Sequence, residues 1–182
     1  SKSGSLVIVA GGSGFCGAHL VRSLLKRDIK VVSLSRGNKN SVNDDITFVQ
    51  GNLQKGLQSH LINQLATLSA NKEITLVNLI GIKRETSKQG FKEAHIDVID
   101  NILELCSKIG VHKLVHISVM SATKDLDNRG SYHHTKYEAE QKIIKNYENN
   151  GLKYCILRPS IIWGEGDDMV RNMVRGMKHC AI

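Results

Sequence analysis

Proline is almost missing from this chain: Pro159 is the only one in 182 residues. There is no proline-rich spacer, no internal repeat and no low-complexity linker, so residues 1–182 read as one domain, long enough for a real core. Aromatic residues make up 4%, too few for the stacking platforms of a single-strand nucleic-acid binder. Long apolar runs are also missing. None approaches the ~20 residues of a transmembrane segment, and Leu6 to Ala10 is too short for the core of a secretory signal. No C-x-x-C pair occurs. Cys16, Cys106, Cys155 and Cys180 stand apart in runs that read as buried or helical, which predicts reduced thiols rather than disulfides or zinc ligands. His133 and His134 are adjacent and point in different directions from a helix, so no metal site is expected. The chain opens at Ser1, as a trimmed or processed form would.

Charge is plentiful and mostly of one sign. The formal net charge is +8 and the pI about 9.4. The lysines are scattered rather than blocked, as on solvated helix faces. Nucleic acid is therefore not the expected partner; an acidic partner or membrane surface stays open.

Strand-like and helix-like runs alternate. "LVIVA" (6–10), "KVVSLSR" (30–36), "ITFVQGNL" (46–53), "ITLVNLIG" (74–81), "KLVHIS" (113–118) and "KYCILR" (153–158) read as strands. Helices are expected over 15–27, with Phe15, Ala18, Val21, Leu24 and Leu25 on one face, and around Leu57, Leu61, Leu65 and Leu68. Others are expected over 91–109, over 132–148 after a polar loop through Asn128 and Gly130, and from "GEGDD" to about Lys178. Continuous apolar strands alternating with helices imply an α/β fold, a doubly wound parallel sheet covered on both faces.

The first strand runs into "GGSGFCG", with Gly11, Gly14 and Gly17 at G-x-x-G-x-x-G spacing. Between a strand and a helix, that spacing fits a dinucleotide loop. Gly11 permits the turn, Gly14 lets the backbone approach a pyrophosphate, and Gly17 lets helix and strand pack closely. The helix N-terminus then offers free N–H groups to phosphate, with Ser13, Phe15 and Cys16 at its mouth. An acidic residue ending the second strand would bind a ribose 2′-hydroxyl; here Ser35 and Arg36 stand instead. Arg36 can stack on adenine and pair with a 2′-phosphate, helped by Ser35 or Lys39, which favours NADP(H) and leaves NAD(H) possible.

"GGSGFCG", "GNL", "NLIG", "YHHTK" followed by Glu140, and "LRPSIIWGEGDD" occur in an order that resembles the extended and atypical short-chain dehydrogenase/reductases. The resemblance covers essentially the whole chain and implies a Rossmann fold. Family members normally continue into a C-terminal substrate lobe, which is expected to lie beyond residue 182. More narrowly, "LVNLIGIKRE", "HKLVHISVMSA", "SYHHTKYEAE" and "ILRPSIIWGEGDDMVRNM" are similar to the nucleotide-binding accessory subunit of respiratory complex I and its prokaryotic relatives. That likeness implies tightly held NADP(H) and complex I subunits as partners. It also implies the matrix side of the mitochondrial inner membrane in a eukaryote, or the cytoplasm in a prokaryote. Carried over by position, Asn52 and Leu53 would lie beside adenine; Leu79, Ile80 and Gly81 would line a ribose; Pro159 and Ser160 would lie near the nicotinamide. His95 stands where many extended members have Asn.

Tyr132 and Lys136 form Y-x-x-x-K, sharing one helix face at i and i+4. A nearby ammonium would favour the phenolate, and tyrosine would pass a proton while the cofactor exchanges hydride. The lysine would also bind the nicotinamide ribose. Active relatives carry a serine or threonine just past the fifth strand. Here the run is Ser118, Val119, Met120, Ser121, with Met120 at the expected step and Ser118 or Ser121 as substitutes. Two readings follow. One is a cofactor holder that stabilises an assembly. The other is an active oxidoreductase or nucleotide-sugar epimerase/dehydratase using Ser118, Tyr132 and Lys136.

Overall fold

The computed structural model describes residues 4–37, 46–87, 90–167 and 172–175, and for 126–130 the backbone alone. Six strands form one sheet: β1 (Ser5–Ala10), β2 (Val31–Ser35), β3 (Ile46–Gln50), β4 (Glu73–Asn78), β5 (Lys113–Ile117) and β6 (Lys153–Leu157). Their order is β3-β2-β1-β4-β5-β6 and every pairing is parallel. The expected doubly wound sheet is present. The chain steps outward from β1 to β3, then crosses back to β4. The switch point therefore lies between β1 and β4, where such sheets open a crevice at their C-terminal edge.

Four helices connect the strands: α1 (Phe15–Leu25), α2 (Ser59–Ser69), α3 (Val98–Ile109) and α4 (Leu126–Asn150). The larger core joins the sheet to α2, α3 and α4 through Leu61, Leu65, Ile99, Ile102, Leu105 and Ile143. A smaller one joins β1 and β2 to α1 through Val9, Val21 and Val31. Coverage is thus uneven between the faces. Among the described helices only α1 covers the second face, and Thr75, Val115 and Cys155 stay half-buried. None of the described helices is long and apolar enough to cross a membrane.

Four expectations are corrected. Ala18 is exposed rather than inward. The buried face of α1 runs through Gly17 and Val21, because the glycine lets this turn press onto the strand loop. The long third helix begins as a π-helical turn, Lys92–Asp97. Glu93 and Glu85 accept hydrogen bonds from the N–H groups of Gly90 (3.0 Å) and Phe91 (2.8 Å), holding its start. The polar stretch through Asn128 and Gly130 is helical, so α4 starts six residues before Tyr132. Of the expected last helix, residues 172–175 are helical, whereas 164–167, where it is expected to begin, form a turn instead; its other residues lie outside the described residues, as do Cys180 and Lys39.

Candidate active site

The glycine turn packs against the sheet at two points. Gly11 has φ +86°, a left-handed conformation only glycine adopts freely. A Cβ on Gly17 would stand 2.2 Å from the Gly11 carbonyl oxygen, and one on Gly12 would stand 2.3 Å from Ser33 Oγ. Gly14 differs: the one atom near its missing Cβ is Gly11 O at 3.3 Å, so the space above it is open. Gly14 caps α1 with no side-chain hydrogen bond, and the first turn holds no acid. The N–H groups of that turn therefore face outward without a protein acceptor of this kind, and the cradle fits a dinucleotide pyrophosphate.

Beside it lies a cavity of about 840 Å³. Phe15, Cys16 and the strand-end loop Leu79–Lys83 line one end; residues 117–123, Tyr132, His133, Lys136 and residues 159–162 line the other. The segment after β6 folds back over α1. Gly164 and Gly166 approach the Phe15 ring, the Glu165 carbonyl meets His19 Nε2 at 2.8 Å, and Asp167 pairs with Lys83 at 3.3 Å. This closing strap gives Phe15 its place at the cavity wall rather than in the core.

A model of the "NAD dependent epimerase/dehydratase family" matches residues 7–180. The chain belongs to this family. It is 27% identical over 90% of its length to a putative UDP-glucose 4-epimerase of Methanocaldococcus jannaschii, covering 58% of that protein. It is 28% identical over 88% of its length to a 3-beta-hydroxysteroid dehydrogenase of Mycolicibacterium neoaurum, covering 48% of it. Among solved structures, the Bordetella bronchiseptica enzyme WbmH in complex with NAD+ superimposes with a TM-score of 0.72, at 16% identity, over 97% of this chain and 63% of that one. The UDP-glucose 4-epimerase of Thermus thermophilus, complexed with NAD, gives 0.67 at 22% identity over 84% and 54%. These structural likenesses speak for the fold. The chain spans about half the length of the curated relatives it matches.

Within this family member, Ser118, Tyr132 and Lys136 line the one cavity together with Leu79, Ile80, Gly81 and Pro159. Ser118 follows directly on β5; its Oγ is buried and has no hydrogen-bond partner. Lys136 is buried and donates to the Ile117 carbonyl at 2.7 Å. Burial pulls its pKa down to about 8, although Glu140 acts the other way. Burial pushes the Tyr132 phenol up. Here the expectation of a depressed tyrosine is corrected: desolvation outweighs any help from an ammonium that is itself hard to keep charged. Ser121 Oγ lies 2.7 Å from His133 Nδ1, within hydrogen-bond reach, whereas Met120 is 64% exposed at the cavity mouth.

Arg36 lies past the end of β2, exposed, donating to Gln54 Oε1 at 3.1 Å, while its carbonyl accepts from Gln50. Ser35 is buried and donates to the Gly37 carbonyl. Asn52 accepts from the Gln54 N–H and starts a 3-10 turn over Leu53–Lys55. Leu53 is a core residue, 2% exposed, and its carbonyl accepts from Asn101 at 2.7 Å. It fixes the backbone at the strand ends rather than offering a free side chain. Ser13 sits half-buried in the glycine turn. Trp163 is exposed, one residue beyond cavity-lining Ile162.

Two buried histidines lie at or behind the site, and the sequence alone assigns neither a role. His95, in the π-helical turn, has Nδ1 2.9 Å from Thr135 Oγ1 and Nε2 3.2 Å from the Ile82 carbonyl. It thereby links the loop after β4 to the helix carrying Lys136, and its ring packs on Phe91 and Tyr132. Burial first, then Lys136, lowers its pKa to about 4. His116 on β5 has Nδ1 3.0 Å from Asn78 Nδ2, which donates, and the Asn78 side-chain Oδ1 accepts from the Ile80 N–H. Burial, with Lys136 and His95 adding, lowers His116 to about 3. A histidine two residues after Leu114 in a strand shares its inward face; that parity was the available signal. The signal for Gly12 was the doubled glycine itself.

Proposed function

We propose that this chain binds NAD(P)(H) across the β1/β4 switch point and serves an oxidoreductase or epimerase/dehydratase reaction through Ser118, Tyr132 and Lys136. One observation carries the reading. Two separate stretches of sequence, the residue after β5 and one turn of α4, deliver a hydroxyl, a phenol and an amine to a single cavity, which reaches the mouth of the glycine-loop helix. Membership of the family and relatives solved with NAD support the cofactor. The dinucleotide, when bound, accepts or returns hydride at its nicotinamide. The unpartnered Ser118 hydroxyl donates to a substrate oxygen. Tyr132 takes or gives that oxygen's proton, and Lys136, charged below about pH 8, would hold the ribose.

Arg36 supports a preference for NADP(H), because its side chain is exposed past the end of β2, where a 2′-phosphate would lie. A second reading keeps the cofactor and drops the turnover. In it the protein is a holder of the complex I accessory-subunit type, matrix-side in a eukaryote or cytoplasmic in a prokaryote. Met120 at the serine step favours it, since an exposed thioether donates no hydrogen bond.

The test is a fluorescence titration of Trp163 with NADPH and NADH. NADPH is expected to bind, and Arg36→Ala to weaken it at least tenfold while leaving NADH within threefold. Failure of both nucleotides to bind refutes the proposal. Tight binding with no turnover of either substrate type selects the holder.

A further inference from the structure

His116 stands behind the cavity wall, two residues before Ser118, and both are 2% exposed. Alternation along a strand turns the two to the same side of the sheet. The hydrogen bonds around His116 fix the position of its proton. Asn78 Oδ1 accepts from the Ile80 N–H at 3.0 Å, and this turns the other end of the amide, Nδ2, toward the imidazole. An amide nitrogen only donates, so His116 Nδ1 accepts, and the ring proton sits on Nε2. That Nε2–H has no acceptor among the described residues, and the Ser118 hydroxyl has no partner there either. Lys136 and His95 are the charged or titratable groups whose fields reach the ring. Neither takes its proton: an ammonium only donates, and both His95 nitrogens are engaged, Nδ1 with Thr135 Oγ1 and Nε2 with the Ile82 carbonyl.

A buried donor without an acceptor is costly, and an internal water with two or more polar partners is the usual remedy. Here Nε2 and the Ser118 Oγ are two such partners. Lys136 Nζ is a third, held on the carbonyl of Ile117, the residue between them in sequence. We infer that a single internal water joins the His116 Nε2–H to Ser118 Oγ, and that Asn78 and His116 are positioning residues that aim the Ser118 proton into the cavity. The donors then run one way. The Ile80 N–H gives to Asn78, Asn78 to His116, His116 to the water, and the water to Ser118 Oγ. Ser118 keeps its own proton for an acceptor oxygen in the cavity. The other tautomer reverses the chain: Nε2 accepts, the serine gives its proton inward, and only lone pairs face the ligand. What the serine does with that proton rests on the reading of this cavity as a reaction site; its direction does not.

Two measurements on the 182-residue chain test the inference. Long-range proton–nitrogen correlation of protein labelled with nitrogen-15 histidine reads the tautomers at pH 7, with His116→Gln assigning the signal. Neutron diffraction from crystals exchanged into heavy water locates the deuterium atoms. The expected results are deuterium on His116 Nε2, a water bonded to both Nε2 and Ser118 Oγ, and the serine deuterium directed at the cavity. In Asn78→Leu, which removes the donor to Nδ1, the Nδ1–H form is expected to appear beside the other. A wild-type ring protonated on Nδ1, or on both nitrogens, overturns the inference. So does the absence of a bridging water, a serine deuterium pointing at that water, or a tautomer that Asn78→Leu leaves unmoved. Should Asn78→Leu fail to fold, the wild-type measurements decide. Titration with NADH and NADPH separates this inference from the cofactor reading. The full chain of donors in a protein that binds neither nucleotide sustains the inference and sinks the cofactor reading. Nucleotide binding without the chain of donors does the reverse.

Discussion

Acidification from pH 7 to 5 should cost this protein about 4 kcal/mol of stability through two side chains. His95 and His116 are each 3% exposed or less, and burial holds their pKa values near 4 and 3. The unfolded chain offers ordinary imidazoles that protonate from about pH 6.5 downward. Between 6.5 and the folded values the unfolded state binds more protons, so stability is full above 6.5 and falls with pH. At pH 5 each histidine lies 1.5 units below its unfolded midpoint; at about 1.36 kcal/mol per unit that is ~2 kcal/mol apiece. Lys136 adds no slope in this window, because it is protonated in both states below about 8. Against the ~5–15 kcal/mol of a typical domain, the loss is large. Urea denaturation followed by circular dichroism at pH 7 and 5, on wild type, His95→Gln and His116→Gln, isolates each contribution from the carboxylates. Each variant should lose ~2 kcal/mol less than wild type across the interval. Variants that lose as much as wild type would refute the burial argument for that histidine.

Two other perturbations probe the frame. Gly17→Ala drives a Cβ to 2.2 Å from one backbone oxygen and 2.7 Å from the Gly12 Cα. It should lower the melting temperature and weaken NADH at least tenfold by calorimetry, whereas Gly37→Ala, with nothing within 4 Å, should do neither. Arg158 donates through Nε and Nη2 to Glu140, whose side chain is 0% exposed while that of Arg158 is half exposed. Arg158→Ala should therefore cost ~1–3 kcal/mol in urea denaturation, and Arg158→Ala/Glu140→Gln should recover part of it.

What could be read from the sequence was whatever a short window determines. Period and turn chemistry gave all six strands within a few residues. The G-x-x-G-x-x-G and Y-x-x-x-K spacings placed Gly11, Gly17, Tyr132 and Lys136 correctly on their elements. Local rules failed where packing overrides propensity. Gly130 looks like a loop residue and lies in a helix, and Ala18 reads as inward by its period and is exposed. The electrostatics failed for a related reason. The sequence puts an amine one turn from a phenol, but only the surrounding burial says that both lose water, so that the lysine falls while the tyrosine rises.

The same limit bears on Met120. In the sequence it interrupts a serine run and argues against catalysis. In the fold, Ser118 already supplies a hydroxyl to the cavity, and Met120 hydrogen-bonds by its backbone to Pro159, 39 positions along the chain. A residue that reads as a lost catalytic group in a linear window becomes part of an apolar wall once β6 pairs beside β5. Strand order, which no local pattern encodes, is what brings the two segments together.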